Sequence, residues 1–238
     1  VYKRQVMLGD HDRSRSREYN WRNFGLQAYG TIVKRPVVTG AELVSYGPFT
    51  DSNYFRQVYN SDLDFSTNQF SISVWIKPTA NTPYMRIVNR VQDTNNRRWE
   101  LYTDNTVENI VFYTRDGSAA SYAATDDHAA PLNTWTHVFA VRERDGDMKV
   151  YINGRLEKRE NLGGTHNPAV RNLSSTTAEL LVGTAVDWDS SKPFTGELTL
   201  LRLAASAPTP EQVRKTYDDE RKLFAVNAKC TLYGTSDD

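Results

Sequence analysis

Two groups of carboxylates in this sequence have spacings that acid–base chemistry can use. Asp187 and Asp189 flank Trp188, and Asp218–Glu220 is an acidic run near the end of the chain. Hydrolysis of a glycosidic bond requires two carboxyl groups on either side of the scissile bond. On a β-strand this means several acidic residues on one face, but the first group lies in a predicted loop and the second on a predicted helix. We therefore predict that the protein is not an enzyme.

Other reactive side chains do not form a recognisable catalytic or metal-binding pattern. The four histidines, His11, His128, His137 and His166, are scattered, and the sequence contains no Gly-x-Ser-x-Gly elbow. Cys230 is the one cysteine, with no zinc-type spacing around it. A single cysteine excludes an intramolecular disulfide, which favours folding in a reducing cytoplasm.

Composition and charge exclude several classes of partner. Lys plus Arg and Asp plus Glu number 29 each, so the net charge of 0 offers no bulk attraction for nucleic acid or a membrane surface. The first ten residues lack an apolar stretch of signal-peptide length, and no apolar run is long enough to span a membrane. We expect neither a nucleic-acid partner nor membrane insertion.

Residues 1–29 differ in character from the rest and form a predicted N-terminal arm. Basic and aromatic side chains alternate there with serine and asparagine. The arm can be a solvated extension, a packing arm that docks on a neighbouring subunit, or an RNA-binding arm that stacks on bases. The basic excess is modest, which favours the first two interpretations. The residues concerned are Lys3, Arg4, Arg13, Arg15, Arg17, Tyr19, Trp21, Arg22 and Phe24.

Short strands follow from about residue 31. Phe70–Ile76 alternates apolar and polar residues with period two, so Phe70, Ile72, Val74 and Ile76 face one way. Residues 135–142, 148–152 and 155–158 read as three antiparallel strands, joined by turns at Asp145-Gly146 and Asn153-Gly154. Strands about ten residues apart predict an all-β, two-sheet antiparallel sandwich.

The last predicted element is one helix over residues 210–224. Thr209 is the predicted N-cap, Pro210 occupies the first helical position, and Gln212 completes a capping box. Val213, Tyr217 and Phe224 fall near one face, so we expect that face to dock on the sandwich.

The order and spacing of five stretches resembles the laminin-G and pentraxin-like domains of the concanavalin A-like lectin/glucanase superfamily. This resemblance implies a jelly-roll sandwich over residues 30–226, followed by a tail over 227–238. The stretches are Phe70–Pro78, Trp135–Val138, Val150–Gly154, Phe194–Leu198 and Thr209–Val213.

A narrower similarity concerns Thr39–Leu43, Tyr59–Phe65 and Phe224–Cys230, which resemble laminin-G-type domains of tailed-phage structural proteins. It implies a non-catalytic virion structural or attachment protein in a tail, a fibre or a capsid decoration, assembled in the host cytoplasm. The partners implied are sibling copies, other virion proteins or a host-surface glycan. Two alternatives remain: an extracellular carbohydrate-binding or adhesion module of a cellular protein and, less favoured, a glycoside hydrolase.

The same resemblance implies a calcium site. In pentraxin-like relatives an early Gln-Asp-Asn turn meets a later acidic loop, and the matching residues here are Asp93, Asn95, Asp187 and Asp189. Thr94 is an insertion relative to that pattern, and the second loop lacks the Glu-Gln-Asp run. The alternative is that these are ordinary polar turns, since Asp and Asn favour turns for backbone reasons.

A sugar-binding role is predicted for the same rim. Trp188 can stack on a pyranose ring while polar side chains of the rim form hydrogen bonds with its hydroxyls, the candidates being Asp187, Asn95, Asn96 and Arg98. The alternative is that Trp188 packs beneath its own loop.

Overall fold

The computed structural model of this protein describes residues 7–8, 26–92, 97–104, 108–160, 168–185 and 192–229. Within these ranges the chain forms sixteen β-strands, one α-helix and two short 3-10 turns. No helix among these residues is long and apolar enough to cross a membrane. In chain order the strands are β1 (Met7–Leu8), β2 (Gln27–Tyr29), β3 (Val33–Pro36), β4 (Val44–Gly47), β5 (Tyr54–Gln57), β6 (Phe70–Pro78), β7 (Met85–Val91), β8 (Arg97–Asp104), β9 (Asn109–Arg115), β10 (Ala120–Ala124), β11 (Thr136–Arg142), β12 (Met148–Ile152), β13 (Arg155–Glu160), β14 (Glu179–Val182), β15 (Lys192–Pro193) and β16 (Gly196–Ala204). The helix α1 is Pro210–Glu220, and the 3-10 turns are Ser61–Leu63 and Arg221–Phe224.

The strands form two sheets. Sheet A has the order β13-β12-β11-β6-β16-β4-β3, with β1 also paired to β16. Sheet B has the order β10-β9-β8-β7-β14-β5-β2, with β15 also paired to β7. All strand pairs are antiparallel except β15 with β7. The predicted two-sheet antiparallel sandwich with one C-terminal helix is confirmed.

The main core lies between the sheets. The four residues predicted to share one face of β6, Phe70, Ile72, Val74 and Ile76, are all fully buried there. Sheet B contributes residues such as Trp99 from its inner face. Because side chains alternate along a strand, the odd-numbered residues of β6 lie on the opposite face of sheet A.

The predicted β11–β12–β13 meander is present, but its two turns differ. Asn153 and Gly154 both have positive φ values, 50° and 75°, as a two-residue hairpin turn requires. The Asp145-Gly146 turn was predicted to have two residues and is wider, because Glu143 N–H donates to the Asp147 carbonyl at 2.8 Å. Three residues therefore separate that closing pair.

Helix α1 packs on the outer face of sheet A. Thr209 caps it, the reciprocal bond from Gln212 completes the capping box, and Pro210 begins it, as predicted. Val213 is fully buried against Phe139, Val141 and Tyr151. The α-helix ends at Glu220, and residues 221–224 continue as the tighter 3-10 turn.

Trp75 anchors the second half of this helix. Its ring stacks on Phe224 at 4.2 Å and on Tyr217 at 5.7 Å between ring centroids. Trp75 is 3% exposed, and Trp135 packs beside Phe224 with its indole N–H donated to the Val37 carbonyl at 2.9 Å. Both tryptophans are therefore part of the packing, although Trp135 lies just before β11 and is only half-buried.

Two buried arginines fix the connections at one end of the sandwich. Arg142 donates to the carbonyls of Arg171 and Ser66 at 2.9 and 2.8 Å. Arg90 reaches the carbonyls of Leu173 and Ser175 at 3.4 and 3.5 Å. Burial lowers the pKa of both guanidinium groups, that of Arg142 to about 10. Both remain protonated at neutral pH and act as internal caps for loop carbonyls.

Candidate functional site

The outward surface of sheet B carries a set of aromatic and polar side chains that we call the tyrosine face. Core residues alternate with outward residues along β8, β9 and β10, so the strand period assigns the outward set. The strand register then aligns Tyr122 with Tyr113, Tyr113 with Glu100, and Glu100 with Asn89. The face consists of Tyr84, Arg86, Asn89, Glu100, Tyr102, Tyr113 and Tyr122.

Arg86 is the centre of this face. Its guanidinium lies 4.2 Å from the ring centroid of Tyr102, and its Nη2 lies 3.5 Å from Oε2 of Glu100. Arg86 and Glu100 are almost completely buried, whereas Tyr102 is half-buried. Burial raises the pKa of the Tyr102 hydroxyl, which therefore stays protonated and able to donate a hydrogen bond at physiological pH.

Tyr84 stands at the edge of the face with an unusual backbone. Its φ of 62° lies in the left-handed region, which costs free energy for a residue with a bulky side chain. Its carbonyl accepts from Arg86 Nη1 at 3.0 Å and from the Lys192 amide at 3.1 Å, which holds this conformation in place. The side chain is 39% exposed, and its ring centroid lies 6.5 Å from that of Tyr102.

Asn89 connects the face to the segment after β14. Its Nδ2 donates to the Thr184 carbonyl at 2.7 Å, while its Oδ1 is buried with no hydrogen-bond partner. A buried amide oxygen that accepts no hydrogen bond is uncommon in a folded protein. It adds an acceptor beside the charged groups of Arg86 and Glu100.

This arrangement is suited to binding rather than to acid–base catalysis. Glu100 pairs with Arg86, and Glu179, further across the same sheet, accepts from Arg56 Nε at 2.7 Å. Both carboxylates are therefore engaged by arginines rather than set on either side of a gap as an acid and a base. Aromatic rings beside fixed donors and acceptors instead match the composition of small-ligand sites.

Of the residues predicted to bind a ligand, Arg98 lies within the described residues. By the alternation along β8 it shares the outward face with Glu100 and Tyr102, and its Nη2 donates to Gln92 Oε1 at 3.3 Å. Asn96 and Trp188 lie outside the described residues. Described residues on either side of Trp188 contact the face, since Thr184 is bonded to Asn89 and Lys192 to Tyr84.

The four predicted calcium ligands, Asp93, Asn95, Asp187 and Asp189, also lie outside the described residues. Their flanking residues attach to different ends of β7. Arg97 is registered with Val91 at the end of this strand, whereas Lys192 is registered with Met85 at its beginning. Lys192 thus lies six residues of strand, roughly 20 Å, from Val91, whereas Thr184, on the other side of the second loop, is bonded to Asn89 only two residues from Val91. The shared calcium ion stays a prediction.

The described residues contain one cluster of acidic side chains close enough to hold a metal, namely Glu143, Asp145 and Asp147 in the β11–β12 turn. Ion pairs already occupy it, since Lys149 lies 2.5 Å from Glu143 and Arg159 lies 2.6 Å from Asp147. Asp145 accepts from the Asp147 amide at 3.1 Å. These contacts account for the cluster as a turn held by charge.

The acidic run Asp218–Glu220 is likewise structural. Asp218 pairs with Arg214 at 2.8 Å and Asp219 with Lys215 at 2.6 Å along the helix surface. Glu220 turns inward to Trp75 and Arg202.

Sequence reasoning overlooked the tyrosine face, although part of its signal was visible. Arg98, Glu100 and Tyr102 recur with period two between the apolar residues Trp99 and Leu101. The partners on β7, β9 and β10 could not be assigned, because they depend on strand register rather than on sequence spacing.

Comparison with known proteins identifies relatives of this fold. A family model described as the concanavalin A-like lectin/glucanases superfamily matches residues 51–214. No curated protein sequence matches the chain.

Several solved structures share the architecture at low sequence identity. The binding domain of Paraclostridial Mosquitocidal Protein 1 has a TM-score of 0.66 and 14% identity, over 90% of this chain and 52% of that chain. The receptor binding domain of botulinum neurotoxin C/D mosaic serotype has a TM-score of 0.64 and 16% identity, over 91% and 51%. The chain thus spans about half the length of these two structures.

A third similar structure is of comparable size to this chain. Domain 4 of the extracellular arabinanase AbnA from Geobacillus stearothermophilus, in complex with arabinotriose, has a TM-score of 0.53 and 21% identity. The match covers 90% of this chain and 88% of that chain. At these identities the likeness shows a common fold.

Proposed function

The chain belongs to the concanavalin A-like lectin/glucanases superfamily, and we propose that it is a non-catalytic binding module that takes a glycan on the tyrosine face. The observation that carries this proposal is the registered row Tyr122, Tyr113, Glu100 and Asn89 across four strands. A saccharide lying across the strands can contact the partly exposed rings of Tyr122 and Tyr113, whereas Glu100 and Asn89 are fully buried in the same row. Rings pack on the apolar side of a sugar while polar groups orient its hydroxyls.

The structural neighbours support a binding role without specifying the ligand. Two are binding domains of toxins, and the third is an arabinanase domain in complex with arabinotriose. Glu100 and Glu179 form ion pairs with Arg86 and Arg56, respectively. Because both carboxylates are engaged in this way, they support a role without hydrolysis.

A glycan array of neutral and acidic oligosaccharides, probed with the full chain, tests this proposal. We expect specific binding that is weakened at least about tenfold in Tyr84→Ala and in Tyr113→Ala, which corresponds to roughly 1.4 kcal/mol of lost contact. Tyr59→Ala is the matched control, since Tyr59 is 36% exposed, similar to Tyr84, but lies in the loop after β5. Equal binding by all three variants would place the ligand elsewhere, and no binding by the native chain would refute glycan recognition.

We further propose that the module works as part of a virion, in a tail, fibre or capsid decoration. The support is the resemblance of residues 39–43, 59–65 and 224–230 to tailed-phage structural proteins. The partners in this setting are sibling copies, other virion proteins and a host-surface glycan. Native mass measurement and imaging of the assembled protein test it, with a closed oligomer or a regular position on a particle as the expected result.

An extracellular module of a cellular protein is the second candidate. The arabinanase domain favours it, because it is one domain of an extracellular enzyme and was solved in complex with arabinotriose. A freely monomeric chain that binds glycans would support this candidate over the virion.

A further inference from the structure

The edge of β16 that faces β4 is only partly used by β4. Among the described pairings, β4 meets β16 at one position, Leu198 with Tyr46, although β16 continues to Ala204. Beyond that point the register of β16 against β6 shifts between Thr199 and Arg202. A strand edge without a neighbouring strand presents backbone N–H and C=O groups that another strand can pair with.

A short N-terminal strand occupies this edge. β1 runs antiparallel to β16, with Met7 registered to Arg202 and Leu8 to Leu201. The pairing covers two residues, and it fills the position that β4 leaves beyond Leu198. The β16 edge is therefore an acceptor for one extended segment.

The length of the intervening chain allows that segment to come from another molecule. Seventeen residues, 9–25, separate Leu8 from Leu26. Fully extended, they reach up to roughly 60 Å. A domain of this size has a diameter of only about 45 Å. The β16 edge of an adjacent copy is thus within reach of the arm.

Charge favours an arm that docks on the body of the protein. Residues 1–25 contain six Lys and Arg against three Asp and Glu, while the whole chain has a net charge of 0. The body therefore carries a compensating acidic excess, which attracts the arm of its own copy and that of another copy. When copies are concentrated, as in an assembly, the pairing of β1 with β16 of another copy becomes more populated relative to the pairing within one chain.

We propose that the β16 edge at Leu201–Arg202 accepts the N-terminal strand of a second copy, so that copies are joined by exchanged arms. This inference rests on the proposed association of copies and is independent of glycan binding. An exchanged strand forms the same backbone hydrogen bonds with β16 that it forms within one chain. What exchange adds is a link between two copies. The arrangement is β-strand addition, in which main-chain pairing supplies affinity.

Disulfide trapping in the full chain tests the exchange. Two populations, Met7→Cys and Arg202→Cys, both carrying Cys230→Ser, are mixed at the concentration of the native assembly and oxidised. A disulfide-linked dimer containing one chain of each population is expected. The exchange would be overturned if a chain that carries both Met7→Cys and Arg202→Cys forms its disulfide within a monomer, while the two single-variant populations form no mixed dimer. Circular dichroism before mixing establishes that each population is folded.

A second measurement avoids altering β16. Leu8→Pro removes the amide that strand pairing needs and is expected to weaken self-association at least about tenfold, measured by light scattering across a concentration series. Ser14→Pro, outside the paired residues, is the matched control and should associate normally. A native chain that is monomeric throughout the series would overturn the exchange, and its glycan binding would still decide the proposed function separately.

Discussion

Trp75 on β6 donates its indole N–H to Oε2 of Glu220 at 2.7 Å, which joins the centre of sheet A to the last turn of the C-terminal helix. Glu220 also pairs with Arg202 on β16. One carboxylate thus satisfies a buried indole and a guanidinium, and the helix cannot leave the sheet without exposing both.

Glu220→Ala is expected to lower the free energy of unfolding by about 2–3 kcal/mol, because it leaves the Trp75 N–H buried without an acceptor. Asp219→Ala is the control, since Asp219 forms only an exposed pair with Lys215 and should cost less than about 1 kcal/mol. Urea unfolding followed by tryptophan fluorescence measures both. Equal losses in the two variants would contradict the assigned role of Glu220.

His137 makes the stability depend on pH. It is fully buried beneath Trp75 and Tyr217, with Ser73 Oγ 3.0 Å from its Nε2. Burial, together with the positive charge of Arg202, lowers its pKa from 6.5 to about 3. Between these values the unfolded chain binds a proton that the folded chain does not, so the folded state loses stability as pH falls.

The slope expected from His137 is at most about 1.4 kcal/mol per pH unit between pH 6.5 and 3, with no contribution above that window. His137→Gln should flatten the dependence of the free energy of unfolding on pH between 6.5 and 4.5. His128→Gln is the control, because the His128 side chain is 73% exposed and pairs only with Glu108. An unchanged slope in His137→Gln would show that other groups dominate acid sensitivity.

Arg142 is expected to stabilise the loops at the Val91 end of the sandwich. Replacing it by Met removes the donor from the carbonyls of Ser66, Asn68 and Arg171 and should cost about 2–3 kcal/mol. Arg144→Met, an exposed arginine two residues away, should be nearly neutral. Thermal unfolding measures the cost, and hydrogen exchange over residues 66–69 and 171–175 should accelerate in Arg142→Met alone.

The calcium prediction has a direct test in ligand addition and removal. If one ion joins both acidic segments, calcium should raise the melting temperature and EDTA should reverse the effect. Asp93→Asn and Asp187→Asn should each abolish the shift, because each removes a charged ligand of the same ion. Loss in only one variant would indicate a site formed by that segment alone, and no shift in the native chain would refute calcium binding.

The sequence alone determined the features that depend on neighbouring residues. The capping box of Thr209 and Gln212 placed the start of α1, because its hydrogen bonds join residues three apart. The alternation of Phe70, Ile72, Val74 and Ile76 predicted which face of β6 enters the core, since strand geometry places every second side chain on one side. The Asn153-Gly154 turn followed from the positive φ values that those residues accept.

Strands with weak local signals were not predicted. β10 is built from Ala, Ser and one Tyr, residues whose strand preference is mostly low, and β4 and β5 have only four residues each. Their conformation is imposed by pairing with stronger neighbours, which sequence spacing does not reveal.

Only the tertiary structure decided how distant segments combine. The register of β7 with β8, β9 and β10 assembled the tyrosine face, because hydrogen bonding between strands rather than spacing along the chain brings those side chains together. The same sheet set where the segments that contain Asp93 and Asp187 are attached, with Arg97 registered to Val91, Thr184 bonded to Asn89 and Lys192 registered to Met85. A motif specifies its own loop, but the distance between two loops is set by the strands that carry them.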